Sequence, residues 1–505
     1  MALTLSTKFS NDSKNSIYSG FSSENSKNTN YLTAISNWAP LFFTGVSFVL
    51  AFATLIVYLI IDFSADGFAF LYNVHSTGSL QTDFALGADG LSVVFLVLTG
   101  FVFPSCFVLS RSLQDNSKSS LLVLFLSFVL LMEVILLFIF LLLDLFFFYI
   151  CFEAILIPMF MLIGTWGSRS RRIKAAYYFF LYTLVTSMLL FASLFFINST
   201  VGSTLYPILI DQPFDYVEQL FLATAFFITF ATKAPMIPFH IWLPEAHVEA
   251  PTVGSVILAA LLLKLGGYGF LRFSLPIFVE AQRALVCFVY VLSVVGILYA
   301  SLTTIRQIDM KRIIAYSSVA HMNLAVLGLY SFTQQGIDGA IYLMLGHGVV
   351  SGALFICVGV LYDRHHTRLL RYYSGLVTVM PIFACLFFVF TLANMGFPGT
   401  VNFVGEFLIY AGVFDRNAFI ATMAAPAIVL SAVYSIWLYN RLIFGTLKTQ
   451  HYLQSFSDTN RLERHILTIY ALAALYFGLS TTDILDVIYP ATKTLVELNA
   501  ATGQL

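Results

Sequence analysis

Apolar runs long enough to cross a lipid bilayer follow one another along almost the whole chain, and this feature limits the folds open to it. A helix rises about 1.5 Å per residue, so roughly 20 apolar residues cross a hydrocarbon core of about 30 Å. Of the 505 residues, 59% are hydrophobic and only 10% are charged. Soluble domains carry about 25% charged residues. The sequence therefore predicts an all-α polytopic membrane protein.

The apolar runs define a predicted transmembrane domain over residues 38–482, with about 13 transmembrane helices. They lie near 40–61, 90–110, 120–143, 145–165, 176–197, 219–237, 252–273, 284–304, 313–331, 337–361, 378–414, 419–440 and 467–482. Residues 1–37 have no apolar run and are rich in Ser and Asn, which predicts a polar N-terminal extension. Residues 483–505 are predicted to be a short C-terminal tail.

The positive charges favour one orientation of these spans. Of the 25 Lys and Arg residues, 19 fall in the N-terminal segment and in every second loop after it, and only four fall in the loops between. Cytoplasmic or matrix loops carry an excess of Lys and Arg. The count therefore predicts that the N-terminus faces the matrix or cytoplasmic side. The sequence contains no cluster of basic residues that could bind nucleic acid, so no nucleic-acid partner is expected.

Two of the predicted spans are interrupted by proline and glycine. The span near 219–237 runs into the sequence APMIP at 234–238, and the span near 378–414 contains MGFPG at 395–399. Breaks of this kind occur where the backbone is buried or lines a cavity, and paired broken helices mark the ion path of many transporters. Hydropathy alone therefore suggests an inverted-repeat, antiporter-like architecture.

Four ionisable residues lie deep inside predicted spans: Glu153, Lys233, Lys264 and Glu406. A charge at the bilayer centre costs about 2.5–3.5 kcal/mol on insertion scales, and such residues usually pair or carry protons. Glu153 and Lys233 can be interpreted as a static ion pair that fixes helix packing. Lys264 has no acid near it in sequence, which favours proton transfer over that alternative.

Two histidines also lie inside separate spans, His321 and His347. Imidazole titrates near neutral pH, so each can act as a proton relay, and each can equally be a core histidine with ordinary hydrogen bonds. Their place in sequence between Lys264 and Glu406 favours relays.

Other polar residues are assigned to the membrane surface. His240, His247, Glu245 and Glu249 share a proline-rich connection and resemble a metal cluster, but a loop at the membrane surface explains them better. Two further acids are predicted to be interfacial: Glu133 and Asp144. The five cysteines are scattered, without the spacing that holds zinc, haem or an iron–sulfur cluster, so no cofactor or metal is expected in this chain.

Three segments closely resemble signature motifs of a known family. They are ATKAPMIPFHIWLPEAHVEAPT at 231–252, DMKRIIAYSSVAHM at 309–322 and GFPGTVNFVGEF at 396–407. These motifs are similar to those of the fourth-subunit family of the proton-pumping NADH:ubiquinone oxidoreductase, respiratory complex I. That family is related to subunits of multi-component cation/proton antiporters, and the resemblance covers roughly 40–480.

The resemblance implies a role for each buried ionisable residue. In the family, the acid matching Glu153 pairs with the lysine matching Lys233. Residues at the positions of Lys264, His321 and His347 continue a hydrated axis across the membrane. Glu406 would hand the proton out or couple to the neighbouring subunit.

The same resemblance implies a setting for the chain. It would lie in the mitochondrial inner membrane, surrounded by lipid and by other membrane-arm subunits, including neighbouring antiporter-like ones. Flavin, iron–sulfur clusters and quinone would be bound in other subunits, so this chain would contribute no redox centre to the enzyme.

One departure from the family concerns its first helix. The family normally has 14 spans, and here the first is replaced by the polar segment 1–37, which puts the N-terminus on the opposite side from the family's usual one. A further subunit covering that position is a hypothesis. Two functions of other classes remain open from the sequence: a stand-alone or multi-subunit cation/proton antiporter component, and a membrane scaffold with inert buried ion pairs.

Overall fold

The computed structural model describes residues 38–61, 67–74, 84–110, 119–447 and 457–501, so the predicted extension 1–37 lies outside the described part. The described chain is overwhelmingly helical, as predicted. Its first helices are α1 (Trp38–Ile60), α2 (Gly90–Leu109), α3 (Ser119–Leu141), α4 (Leu145–Trp166), α5 (Arg172–Val201), α6 (Tyr206–Ile210), α7 (Tyr216–Lys233), α8 (Trp242–Glu249) and α9 (Thr252–Ile277). The others are α10 (Val279–Arg306), α11 (Met310–Leu329), α12 (Gln334–His365), α13 (Pro381–Asn394), α14 (Val401–Arg416), α15 (Ala418–Ile443), α16 (Arg461–Leu479) and α17 (Thr482–Ala501).

Ten helices of the described residues are long and apolar enough to cross a membrane, or 11 if the pair α16 and α17, bent by 65°, is taken as one span. The sequence predicted about 13 spans. The difference lies where proline and glycine shorten helices: α13 and α14 have 14 and 16 residues, and α7 has 18 with a charged residue near each end. A single helix needs about 20 residues to cross the hydrocarbon core.

Both predicted interruptions are breaks in the helical backbone. α7 ends at Lys233 and the chain turns through 234–241 before α8 begins. α13 ends at Asn394 and α14 begins at Val401 after a turn with Gly396 at φ +71°. Proline cannot donate a backbone hydrogen bond and its ring clashes with the preceding turn, which explains why the helices end here.

The burial of the helices is uneven and places the core. The most apolar stretches of α9 and α12 are completely buried, and 89% of that of α11 is buried, whereas only 17% of that of α1 is. The three buried helices carry Lys264, His347 and His321. Three of the six predicted site residues therefore lie on the innermost elements of the bundle.

Two elements were not predicted from the sequence. β1 (Ala69–Val74) and β2 (Phe84–Ala88) form an antiparallel pair between α1 and α2.

The predicted tail 483–505 includes most of α17, which packs against α2 so closely that a Cβ at Gly90 would lie 1.9 Å from the Val487 carbonyl oxygen. The tail is thus part of the packed structure as far as residue 501.

Candidate functional site

Four of the six predicted site residues form one connected row inside the bundle. The Nζ atom of Lys264 lies 2.8 Å from Nδ1 of His347. The imidazole rings of His347 and His321 have centroids 5.5 Å apart, and Nδ1 of His321 lies 3.3 Å from Oε1 of Glu406. All four residues are at most 7% exposed. The row runs through α9, α12, α11 and α14.

Lys264 lies between two wider helical turns of α9. Segments Leu258–Leu262 and Phe270–Ser274 are π-helical, and π-turns inside α-helices occur frequently at functional sites. The Lys264 ammonium donates to the Ala259 carbonyl oxygen on the preceding turn as well as contacting His347. An ammonium group has three donors, so one remains for a further partner.

Two glycines place His347 between its neighbours. A Cβ atom at Gly346 would lie 2.7 Å from Oδ1 of Asn402 on α14, and one at Gly348 would lie 3.1 Å from the carbonyl oxygen of Ala260 on α9. A Cβ atom at Gly346 would fit only if the Asn402 side chain shifted, and the contact at Gly348 is tighter than most Cβ contacts. The lack of side chains therefore lets α12 approach both helices closely at the level of His347.

The second backbone break holds the carboxylate at the end of the row. A Cβ atom at Gly396, whose φ is +71°, would lie 2.6 Å from Oε2 of Glu406. A left-handed conformation with no room for a side chain is one that glycine adopts at little cost. The break between α13 and α14 thus lies directly against the Glu406 carboxylate.

Lys233 is buried without a hydrogen-bond partner in the described part of the chain. It is 2% exposed, and its Nζ atom makes no hydrogen bond. The Nζ atom lies 4.5 Å from the ring centroid of Phe152, a cation–π contact. Lys233 is also the last residue of α7, where the negative end of the helix dipole favours a cation.

The carboxylate of Glu153 is close to Lys233 but does not touch it. The two groups interact electrostatically, yet no nitrogen–oxygen distance of 4.0 Å or less joins them among the described ion pairs. Oε1 of Glu153 is buried and makes no hydrogen bond. The structure therefore brings the predicted pair into one region and leaves it without direct contact.

Lys233 and Lys264 are neighbours through their backbones. A Cβ atom at Gly266 would lie 2.6 Å from the amide nitrogen of Ala234, the residue that follows Lys233. Nearby, Asn323 donates from Nδ2 to the Pro235 carbonyl oxygen at 3.2 Å. The side chain thus satisfies a carbonyl freed by the break, as a buried backbone requires.

Five of the polar residues assigned to the membrane surface from the sequence are buried, so that assignment is wrong for Glu133, Asp144, His240, His247 and Glu249. Glu133, predicted to be interfacial, is 1% exposed in the middle of α3, and its Oε1 accepts a hydrogen bond from Oγ of Ser47 at 2.8 Å. His247, assigned to a loop at the membrane surface, is completely buried and stacks on Phe355 with ring centroids 4.7 Å apart. The sequence around Glu133 and His247 does not reveal their burial, because the helices that cover these two residues are distant in sequence.

No group of three or more His, Cys, Asp or Glu side chains within the described ranges is placed to hold a metal ion. One buried polar residue next to the row is an amide, Asn402. Both amide atoms of Asn402, beside Gly346, are buried without a hydrogen-bond partner in the described segments. Such orphaned polar atoms are typical of positions where water binds.

The sequence matches one family of known proteins. A family profile described as "NADH:quinone oxidoreductase/Mrp antiporter, TM" matches residues 143–431. The chain is 49% identical to NADH-ubiquinone oxidoreductase chain 4 of Arabidopsis thaliana over 88% of this chain and 89% of the relative. It is 50% identical to the protein of that name from Chondrus crispus, over 82% of this chain and 83% of the relative.

Solved structures agree with the sequence matches. A chain of respiratory complex I from Thermus thermophilus superposes with a TM-score of 0.82 and 27% identity, covering 92% of this chain and 99% of that one. A chain of the Mrp complex from a Dietzia species superposes with a TM-score of 0.80, covering 94% and 96%, and at 18% identity it shows the shared fold alone. On these grounds the chain belongs to the NADH-ubiquinone oxidoreductase chain 4 family, as its three signature motifs suggested.

Proposed function

We propose that this chain translocates protons across the membrane as the antiporter-like chain 4 subunit of NADH:ubiquinone oxidoreductase. The observation that carries the proposal is the row Lys264–His347–His321–Glu406, in which consecutive ionisable groups are in contact or nearly so inside the bundle. The conditions for passing a proton between side chains are short distances and groups that exist in two protonation states.

The energetics favour transfer over storage of charge. Each buried group is costly to charge alone, so a proton that arrives at one end of the row raises the energy of a second proton next to it. Arrival at Lys264 therefore promotes release from the far end at Glu406. A membrane potential of about 150–180 mV opposes each proton by about 4 kcal/mol, which is comparable with the cost of burying one charge.

Glu153 and Lys233 are proposed to act as the switch that admits the proton. Because they lie close without touching, the pair can close into an ion pair or open. Closing it stabilises the charge on Lys233, and opening it drives a proton from Lys233 toward Lys264. A direct contact between the two charged groups would instead favour the static ion pair that the sequence left open.

The electron-transfer chemistry is proposed to lie in other subunits. Flavin, iron–sulfur clusters and quinone are expected outside this chain, and neighbouring membrane-arm subunits, with lipid, are its proposed partners. The excess of Lys and Arg in alternate loops supports an N-terminus on the matrix side of the mitochondrial inner membrane.

The test uses the assembled complex reconstituted in lipid vesicles. NADH-driven acidification and NADH:quinone reductase activity are measured for Lys233→Ala and Lys264→Ala, with the amount of complex determined on a native gel. Loss of pumping with normal assembly supports the proposal. Intact pumping in both variants overturns it, and equal loss of assembled complex in both identifies the scaffold function instead.

A further inference from the structure

A cavity of about 340 Å³ lies beneath α1, outside the row of ionisable residues. Its walls come from α1, α2, α12, α14 and α16, and one end is closed by the start of α17. Pockets that bind small molecules in proteins have volumes of about 300–1,000 Å³. The cavity therefore has room for a ligand, and its lining residues indicate which kind of ligand fits.

The inner part of the cavity is apolar. Of its 14 lining residues, 11 are aliphatic or phenylalanine, among them Leu98, Leu345 and Val349. An ordered water needs about two to four polar partners, and apolar cavities stay dry. Protein interiors are close-packed, so an empty space of this size would leave its lining without contact partners. The inner part thus favours a hydrocarbon occupant.

The rim of the cavity faces the lipid. Leu55 on α1 and Tyr476 on α16 are 45% and 56% exposed, whereas Leu345 and Val349 at the inner end are each 6% exposed. Only 17% of the most apolar stretch of α1 is buried, so in a bilayer its outer face is surrounded by acyl chains. A lipid chain therefore reaches the rim without leaving the hydrocarbon core.

The polar lining residues lie together at one end of the cavity. The hydroxyl groups of Tyr476 and Ser480 donate to Oδ2 of Asp483 at 2.7 and 2.8 Å. The Tyr58 hydroxyl donates to the Asp483 carbonyl oxygen at 3.4 Å. Hydroxyl donors of this kind stabilise a carboxylate in its charged form. One end of an otherwise apolar cavity thus presents a negative charge.

Asp483 lies at the membrane surface opposite the basic loops, because α16 starts beside the basic loop 441–464 and crosses to Leu479. Neither hydrogen bond that its carboxylate accepts uses Oδ1, and no ion pair of the described residues includes it. No Lys or Arg occurs between Arg464 and Lys493. A carboxylate without a cation from its own chain attracts the ammonium group of a zwitterionic lipid and repels the net charge of an anionic one.

We propose that this cavity is a binding site for a zwitterionic phospholipid. One acyl chain fills the cavity as far as Leu345 and Val349, and the ammonium of the headgroup pairs with Asp483. This inference goes beyond the proposed function and does not depend on it, because binding of a lipid requires no proton transfer.

The bound chain packs against helices that hold the row. Leu345 and Val349 lie on either side of His347 in α12. A Cβ atom at Gly348 would lie 3.0 Å from the Leu98 side chain of α2, so Leu98 separates the chain from the backbone of α12. An occupied cavity therefore keeps α2 and α12 packed at the level of the row.

The first experiment needs no variant. The assembled complex is placed in phosphatidylcholine vesicles with a trace of phosphatidylethanolamine that carries a photoreactive diazirine on one acyl chain, and labelled peptides are identified by mass spectrometry. A diazirine in the middle of the chain should label the buried segment 345–349, and one near the ester should label the segment around Asp483. Labels confined to exposed positions such as Leu59, which is 71% exposed on α1, would show that the cavity takes no lipid chain.

The second experiment fills the cavity. Ala473 lines it from α16 and is partly buried, so the ring in Ala473→Phe occupies space that the lipid chain would use. Each excluded methylene lowers binding about fourfold and a ring displaces at least about two, so we expect the label on 345–349 to fall at least about tenfold. Ala192→Phe is the matched control, because Ala192 is exposed on α5 and does not line the cavity. Equal labelling of 345–349 in both variants would overturn the proposal.

A smaller substitution is available if the ring prevents assembly, which a native gel shows. Ala473→Leu adds three carbon atoms, and we expect the label on 345–349 to fall at least about fourfold, the effect of one excluded methylene. A label that Ala473→Leu leaves unchanged counts against the site as directly as the first variant does.

The third experiment tests the headgroup. Asp483→Asn removes the charge, and we expect labelling by the phosphatidylethanolamine probe to fall about two- to fivefold, the contribution of a half-exposed ion pair. Asp211→Asn, which changes an exposed acid outside the cavity, is the control and should label normally. A phosphatidylglycerol probe with the same chain should label the unmodified complex less by a similar factor. Equal labelling by the two probes would overturn the pairing of the ammonium with Asp483.

The label is measured without NADH, so its result is separate from that of the pumping assay. If segment 345–349 is never labelled while Lys264→Ala abolishes pumping, the lipid site is wrong and the proposed function stands. If the segment is labelled and lost in Ala473→Phe while Lys264→Ala pumps normally, the lipid site stands and the proposed function fails.

Discussion

The Lys264 ammonium nitrogen and Nδ1 of His347 are 2.8 Å apart, although 83 residues separate them in sequence. Two positive charges at that distance repel by about 6 kcal/mol even at an effective dielectric constant of about 20. The lysine and the histidine therefore share at most one extra proton. Such a pair can pass a proton between its two members, because protonating one residue requires the other to be neutral.

The first prediction is that charge alone cannot replace the lysine. In Lys264→Arg the guanidinium stays protonated at every accessible pH, so it can neither receive a proton nor hand one to His347. We expect NADH-driven pumping to fall by at least about tenfold with the complex assembled, since proton transfer by a positioned group is lost. The exposed Lys493→Arg on α17 is the control and is expected to pump normally. Pumping at the normal rate by Lys264→Arg would mean that this residue supplies only a fixed charge.

The second prediction concerns the open pair. Because Glu153 makes no direct contact with Lys233, Glu153→Gln breaks no ion pair and we expect the amount of assembled complex to stay unchanged. Pumping should nevertheless be lost, since a glutamine cannot close onto the lysine as a charged partner. Native-gel content and vesicle acidification measure the two effects. The control variant is Glu280→Gln, which changes an exposed acid on α10. If Glu153→Gln lowers the amount of assembled complex as much as it lowers pumping, and Glu280→Gln lowers neither, a static structural pair is favoured.

The third prediction tests the close approach of α12 and α14. In Gly346→Ala the new methyl group would lie 2.7 Å from Oδ1 of Asn402 and 2.9 Å from Cγ2 of Val401, so these two buried side chains of α14 must shift next to His347. Overpacking of this kind costs about 1–3 kcal/mol, and we expect the temperature at which the complex loses activity to fall. Gly164→Ala on α4 is the matched control, since its methyl group would meet only the Cβ atom of Ala176 at 3.9 Å. Equal thermal behaviour of the two variants would show that α12 has room to move.

Much of the fold followed from local properties of the sequence. Apolar runs gave the helices, and proline and glycine gave both breaks, because each effect acts over a few neighbouring residues. The residues of the row were also found in sequence, since a charge inside an apolar run is costly wherever its partner lies. The contact between Lys264 and His347 could not be predicted from the sequence, because it depends on how α9 and α12 pack.

The same limit explains what the sequence analysis missed. His247 lies in a proline-rich connection that resembles a surface loop, and only the packing of Phe355 from α12 buries it. Arg272 is one of the four basic residues that the sequence analysis counted in the less basic loops, yet it lies on α9, is 4% exposed and forms an ion pair with Asp89. β1 and β2 are short and lie within a connection, so they gave no periodic signal. Tertiary contacts between distant helices decide all three.

The fourth prediction follows from the pair of Asp89 and Arg272. The Arg272 guanidinium donates to both carboxylate oxygens of Asp89 at 2.6 and 2.8 Å. Burial raises the pKa of Asp89, but Arg272 and hydrogen bonds from Ser92 outweigh it and hold the pKa below its usual value. Stability from a depressed pKa is present above the unfolded value, about 3.9 for aspartate, and is lost only as the pH falls through the folded one.

Asp89→Asn should therefore lower the thermal stability of the complex by the same amount at every pH between about 5 and 8, since aspartate stays ionised throughout that range. Breaking one partner of a buried pair costs about 3–5 kcal/mol. The midpoint of thermal inactivation, measured across that range for both proteins, checks this. A difference that shrinks as the pH falls from 7 to 5 would contradict it, because it would place the folded pKa above the usual value.

The last prediction separates a buried acid that holds helices together from the acids proposed to carry protons. Glu133 on α3 accepts from Ser47 on α1, and its second oxygen is buried without a hydrogen bond in the described residues. The described contacts do not link it to Lys264 or Glu406. Glutamine has the same shape and still accepts from Ser47, so Glu133→Gln should assemble and pump normally. Glu133→Leu leaves the Ser47 hydroxyl without its partner, which costs about 1–3 kcal/mol, and should lower the amount of complex while each assembled copy pumps normally. Loss of pumping per copy in Glu133→Gln would instead make Glu133 a further proton-carrying acid.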